Sequence, residues 1–197
     1  LEKKLGNLRG KEKIPVLIDL ASVTYTKSPK KCVDYCKRVL TLTEQIEYPI
    51  RRAKAFIYLS YALSVLGDWD KALAYSKEAL TIYEEQKDKG GIGRALFTIG
   101  YLYREIDYFN IALDYLLRSL KAYEGLGEER ALYFPYYNLG CLYFSLENYQ
   151  KASEYLRKAS DTVKDKKDNR QISTCLHNLG LCYLQTGDYI HALDYFR

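Results

Sequence analysis

Leu176-His-Asn-Leu-Gly-Leu-Cys-Tyr-Leu-Gln-Thr-Gly-Asp-Tyr-Ile-His-Ala-Leu-Asp-Tyr-Phe196 is the stretch whose reading decides the fold. Leu176, Leu179, Gly180 and Tyr183 fall at i, i+3, i+4 and i+7, which is one face of a helix. Thr186-Gly187-Asp188 breaks the pattern, with Gly187 as the stop and Asp188 as the N-cap of a second helix. That helix sets Ala192 and Phe196 on one face. Gly180 and Ala192 carry almost no side chain, so the two helices can lie very close together. The stretch predicts a helix–turn–helix hairpin with a small residue on each side of its crossing.

Working outward, the hairpin recurs at a step of 40 residues. Ala72, Ala112, Ala152 and Ala192 keep the step, and so do Ser60, Gly100, Gly140 and Gly180. Leu59, Ile99, Leu139 and Leu179 repeat in the first helix, as do Leu63, Tyr103, Tyr143 and Tyr183. Tyr75, Tyr115, Tyr155 and Tyr195 repeat in the second. A period in this range is the mark of a solenoid, in which no unit has a core of its own and stacking supplies one.

The motif Asn-Leu-Gly-x-x-Tyr, then Gly-Asp-Tyr, then Ala-Leu-x-Tyr, is best seen from Asn178 to Tyr195 and nearly as well from Asn138 to Tyr155. It resembles the tetratricopeptide repeat family over residues 51–197, and more weakly over 14–46. The common period of that family is about 34 residues. The longer unit here is similar to the long-repeat subtype found in cell-polarity scaffolds, bacterial peptide-sensing regulators and input segments of bacterial signalling proteins. The resemblance implies an all-α fold, an α/α solenoid wound as a right-handed superhelix of hairpins.

The hairpins are expected at about 14–46, 49–86, 89–124, 128–165 and 169–197, after a Lys/Glu-rich lead-in at 1–13. The first hairpin is degenerate, as terminal repeats often are. Ser28-Pro29 opens its second helix, and Cys32, Cys36 and Val39 take the places of Ala72, Ser76 and Ala79. Gly67-Asp68-Trp69 makes the next turn, whereas Ile106-Asp107-Tyr108 lacks the Gly. Pro135, well inside a predicted helix, is expected to delay its start or kink it. Residues 164–170 read as a charged bend. Most of the 21 tyrosines fall on repeat positions and read as packing residues whose hydroxyls reach water or a partner.

Bulk composition narrows the function. A net charge of +5 over 197 residues is too mild and too scattered for a nucleic-acid surface. No apolar run approaches the ~18 residues of a membrane span, and no signal peptide is visible, which points to a cytoplasmic protein. The five cysteines are an odd number and sit at small, buried positions, so free thiols are expected. Cys175, His177 and Cys182 do not share a helix face, so no metal site is expected. No phosphate loop, nucleophile elbow or zinc-protease motif appears, and the chain reads as a non-enzyme without a cofactor. With no Met, a start at Leu1 and an end part-way into a helix, it also reads as an excised segment.

In a stacked array the first helices line the inner surface. The first-helix residues pointing away from the Leu/Gly face are Lys54, Ile57, Tyr58 and Tyr61, then Arg94, Phe97, Thr98, Tyr101 and Arg104. Phe134, Tyr137, Asn138 and Cys141 come next, then Thr174, His177, Asn178 and Leu181. The set offers stacking surface, guanidinium forks for carboxylates and amides for peptide backbone. From the resemblance, Asn138 and Asn178, each just before Leu-Gly, would hold a bound peptide's main chain; Tyr58 and Thr98 depart from Asn, leaving half a ladder. The plain alternative for the asparagines is a helix surface, and for Arg94 and Arg104 solvated charge. Two functions fit this set. The first is a protein–protein interaction module gripping a peptide or helix of a partner. The second is a sensor or regulatory segment controlling an attached kinase, nucleotide cyclase or transcription factor. Leu193 and Phe196, left uncovered, are expected to make end-to-end contacts or a homodimer.

Overall fold

The apolar stripes and turn signals translate into helices throughout. The computed structural model describes residues 1–44, 47–127, 129–164 and 169–197. The helices are α1 (Glu2–Gly6), α2 (Lys13–Thr24), α3 (Pro29–Glu44), α4 (Pro49–Val65), α5 (Trp69–Glu85) and α6 (Lys89–Glu105). They continue with α7 (Phe109–Glu124), α8 (Glu129–Ser145), α9 (Tyr149–Asp161), α10 (Asn169–Gln185) and α11 (Tyr189–Phe196). No strand occurs among the described residues, and the fold is an all-α solenoid of repeated hairpins. It divides into two compact units, residues 1–102 and 103–197.

In unit 1 the core runs through Leu17 of α2, Cys32, Cys36 and Val39 of α3, and Phe56 and Leu59 of α4, all at most 3% exposed. Each of the Leu, Val and Phe side chains among them, withdrawn from water, is worth about 1.5–3 kcal/mol. The lead-in is not loose. Leu5 of α1 is buried, Glu2 accepts a 2.5 Å hydrogen bond from the Tyr35 hydroxyl, and Lys31 pairs with the same carboxylate at 3.5 Å. In unit 2, Leu156 of α9 is sealed by Leu179 and Cys182 of α10.

The small-residue crossings have the expected geometry. The Ser60 hydroxyl donates to the Ala72 carbonyl at 2.6 Å, so α4 and α5 touch almost backbone to backbone. At Gly140 a Cβ would stand 2.7 Å from Leu156 Cγ and 3.3 Å from the Ala152 carbonyl oxygen. At Gly180 it would stand 2.5 Å from the Phe196 ring.

The hairpin turns share one conformation at a 40-residue step: Gly67, Asp107, Glu147 and Gly187 have φ of 82°, 62°, 59° and 79°. After each, the next N–H closes on a carbonyl five residues back, as Asp68 does on Leu63 and Asn148 on Tyr143, both at 2.9 Å. Asp68, Asn148 and Asp188 then cap the second helix by accepting from the N–H of Lys71, Lys151 and His191. Tyr108 occupies the same place in the third hairpin with no side-chain cap.

One expectation changes. α8 begins at Glu129 and continues through a buried Pro135, so the late start is not seen. A Pro in that place withdraws one N–H from the ladder, which the rest of the helix spans. The predicted bend at 164–170 falls largely on residues 165–168, and the hairpin limits at 46, 128 and 165 also lie outside the described residues. Among the described residues no helix is long and apolar enough to cross a membrane.

Candidate functional site

Some of the residues selected from the sequence come together in each unit. In unit 1 the turn-by-turn spacing of Lys54, Tyr58 and Tyr61 puts all three, half-buried, along α4. Tyr25, from the end of α2, packs on Tyr58 and Tyr61 with ring centroids 6.3 and 5.3 Å away. From α6, Tyr101 meets Tyr61 edge-on at 6.2 Å and stacks on Phe97 at 6.4 Å. Thr98 Oγ1 donates to the Arg94 carbonyl at 2.8 Å, so Tyr61 donates to Thr98 across their 2.9 Å contact. Burial pushes the Tyr58 hydroxyl up, and burial followed by Arg94 and Arg51 holds the Lys54 ammonium down.

In unit 2, Tyr133 and Tyr137 of α8 stack at 5.7 Å and 11°. Tyr137 reaches the next hairpin, where its oxygen accepts from Asn178 Nδ2 at 3.0 Å, and Cys141 Sγ lies 3.7 Å from the same amide. Burial raises the Tyr137 pKa to about 12, against the lowering effect of Asn178. Asn138 is only 6% exposed. Its Nδ2 donates to the Phe134 carbonyl at 3.0 Å, while its Oδ1 is buried without a hydrogen-bond partner. Phe134 is exposed beside it. Arg104 pairs with Glu105 and lies near Cys141, whose thiol is pushed up mainly by burial.

Three of the expected lining residues are enclosed. Ile57 and Thr98 are 1% and 0% exposed: α4 is covered by α2 and α3 as well as by its own partner α5, and Thr98 lies against Tyr61 of α4. Asn138 is buried too, but keeps an acceptor in need of a donor. His177 is exposed and packs with Phe196 of α11 at 5.6 Å rather than beside Asn178. Thr174 returns its hydroxyl to the Arg170 carbonyl at 2.8 Å. Leu181 is half-buried. Sequence reasoning missed Tyr25, Tyr133 and Arg51. Arg51 and Tyr133 stand one turn before Lys54 and Tyr137, a helical spacing that flags both. Cys32, Cys36, Cys175 and Cys182 are buried free thiols, Cys141 is a half-buried one, and no metal-holding group of His, Cys, Asp or Glu occurs among the described residues.

The tetratricopeptide repeat family model matches residues 51–125 and 132–197. No curated protein sequence matches the chain. Several solved structures share its fold. BtubC (BKLC) from P. vanneervenii superposes with a TM-score of 0.77 at 22% identity, over 93% of this chain and 76% of that one. A Rap protein complexed with competence and sporulation factor gives 0.85 at 21% identity, over 96% of this chain and 54% of that one. A signal transduction ATPase with numerous domains from Pyrococcus horikoshii, carrying a tetratricopeptide repeat sensor, gives 0.77 at 19% identity, over 98% of this chain and 30% of that one. The chain thus spans about half of the Rap protein and under a third of the ATPase.

Proposed function

The chain belongs to the tetratricopeptide repeat family, and from that premise we propose that it is a protein-interaction module. It holds an extended peptide segment of a partner against its first helices. The observation that carries this is the half-buried Asn178 amide, oriented by its 3.0 Å hydrogen bond to the Tyr137 oxygen, in the unit that also exposes Phe134. A peptide N–H or C=O reaching such an amide gains a hydrogen bond partly shielded from water, and aromatic rings beside it would cover the peptide's side chains. Asn138 holds the equivalent place one repeat earlier, in α8, and is buried. The Rap protein solved with competence and sporulation factor is a fold relative in a complex, which supports the reading by analogy.

The test uses peptides selected from a displayed random library on the 197-residue chain. Asn178→Ala is expected to weaken the selected peptides by about tenfold, the worth of one desolvated hydrogen bond, and Asn138→Ala, at a buried position, to weaken them less. Circular dichroism checks that helicity is kept. Peptides that bind both variants as tightly as the parent would sink the proposal. The second reading is a regulatory segment of a larger signalling protein. Its support is the repeat sensor of the Pyrococcus horikoshii protein, and it would use the same face.

A further inference from the structure

Two thiols stand one turn apart on α3, in the core of unit 1. Cys32 and Cys36 are 0% and 1% exposed, and their sulfurs lie 3.9 Å apart. Cys32 Sγ donates to the Tyr58 carbonyl of α4 at 3.5 Å, so between the two sulfurs it is Cys36 that donates. The repeat does not ask for sulfur at either place. One unit on, the same two places hold Ala72 and Ser76, and later hairpins keep Ala at the first and set Leu116, Leu156 or Phe196 at the second.

The separation of the sulfurs limits what the pair can close on. A disulfide needs Cβ atoms about 3.5–4.5 Å apart, while residues at i and i+4 of a helix hold theirs about 5–6 Å apart. α3 would have to deform before an S–S bond formed. A third atom seated between the sulfurs removes that obstacle. Bonds of about 2.3 Å to thiolate, opened at about 100–115°, span sulfurs roughly 3.5–3.9 Å apart. Structural zinc takes four protein ligands, and among the described residues no third His, Cys, Asp or Glu joins the pair to hold a metal ion. Trivalent arsenic is thiophilic and needs only two sulfurs when it keeps one hydroxyl of its own.

We infer that Cys32 and Cys36 form a two-thiol site for trivalent arsenic, taken up as arsenous acid. As(OH)3 condenses with the two thiols. Two As–O bonds break, two As–S bonds form, and the thiol protons leave on the departing hydroxides as two waters. Arsenic stays trivalent throughout, so no oxidant or reductant takes part. The Tyr58 carbonyl, released by the Cys32 proton, accepts from the remaining As–OH. Uptake is slow, because both sulfurs are enclosed and unit 1 must open locally to admit the ligand.

The experiment incubates the reduced 197-residue chain overnight with arsenous acid, at the highest temperature at which it stays folded, and reads native mass spectrometry and Tm. One arsenic per chain and a raised Tm are expected, because a ligand held by the folded helix stabilises it. Cys32→Ala and Cys36→Ser install the residues of the next hairpin at those places, Ala72 and Ser76. Each is expected to weaken uptake at least about a hundredfold, since a single thiolate loses the second, intramolecular bond. Cys141→Ala, Cys175→Ala and Cys182→Ala, made singly, are expected to leave it unchanged. Zinc ions at the same concentration are expected to leave Tm where it was. No uptake by the parent chain, undiminished uptake by Cys32→Ala or Cys36→Ser, or loss of uptake in any of the other three variants would each overturn the assignment. So would a Tm lowered by arsenic, which marks binding to the unfolded chain, or a Tm raised by zinc and restored by Cys32→Ala.

Discussion

The four hairpin turns ask one backbone question and receive different residues. Gly67 and Gly187 enter the left-handed region freely, while Asp107 and Glu147 enter it with a Cβ. That conformation costs an ordinary L residue roughly 1–2 kcal/mol, and Asp tolerates it better than Glu. Glu147 is exposed, so nothing in the packing repays the strain. Glu147→Gly is therefore expected to stabilise the protein by up to about 1 kcal/mol, after the extra freedom of Gly in the unfolded chain is subtracted. For a chain of this size that raises Tm by about 2–4 °C. Thermal unfolding followed by circular dichroism reads it, and a Tm at or below that of the parent would show that the turn is not strained. The repeat made this position legible, because the Gly at 67 and 187 and its absence at 107 and 147 stand at one step of the period.

At the scale of the helix pair, size is traded across the crossing. Gly140 faces Leu156 and Gly180 faces Phe196, so a large residue on the second helix goes with none on the first. In the hairpin of α4 and α5 the place of Leu156 is taken by Ser76, and there Ser60 keeps a side chain and uses it to bind the Ala72 carbonyl. Gly140→Ala should then cost about 1–3 kcal/mol, since its methyl would overlap Leu156. The same change in a Leu156→Ala background should cost much less, although Leu156→Ala alone costs about 2–5 kcal/mol. Denaturant unfolding of the two single variants and the double variant measures the coupling, and strict additivity would remove the size-exchange argument. Stacked rings pin the same pairs at the same period. Tyr103 lies on Tyr115, Tyr143 on Tyr155 and Tyr183 on Tyr195 with centroids 5.9, 5.5 and 5.4 Å apart, and Phe56 on Tyr75 stands in where Leu63 breaks the series. Periodicity revealed these contacts because both partners repeat together. It did not reveal how wide an arc of each first helix the stack covers. Ile57, Thr98 and Asn138 looked free on a single helix and are enclosed by the neighbouring hairpins.

For the whole molecule, each hairpin's apolar second helix is a surface that something must cover. Leu156 is completely buried, whereas Phe196, at the same place one repeat later, is 44% exposed. Ile190 breaks the register in chemistry as well. Its equivalents are Asp70, Asn110 and Gln150, all polar, yet it is apolar and 77% exposed. Leu193 beside it is 51% exposed. An apolar row of this kind on one helix lowers its free energy by meeting another. The 197-residue chain is therefore expected to self-associate through α11, with a sedimentation coefficient that rises with concentration. Replacing Ile190 by Gln and Leu193 by Ser installs the residues that the preceding hairpin carries at those places, Gln150 and Ser153, so the helix itself is not threatened. That double variant should sediment as a monomer at every concentration. A parent chain that stays monomeric to its solubility limit, or a variant that associates as strongly as the parent, would place the contact away from α11.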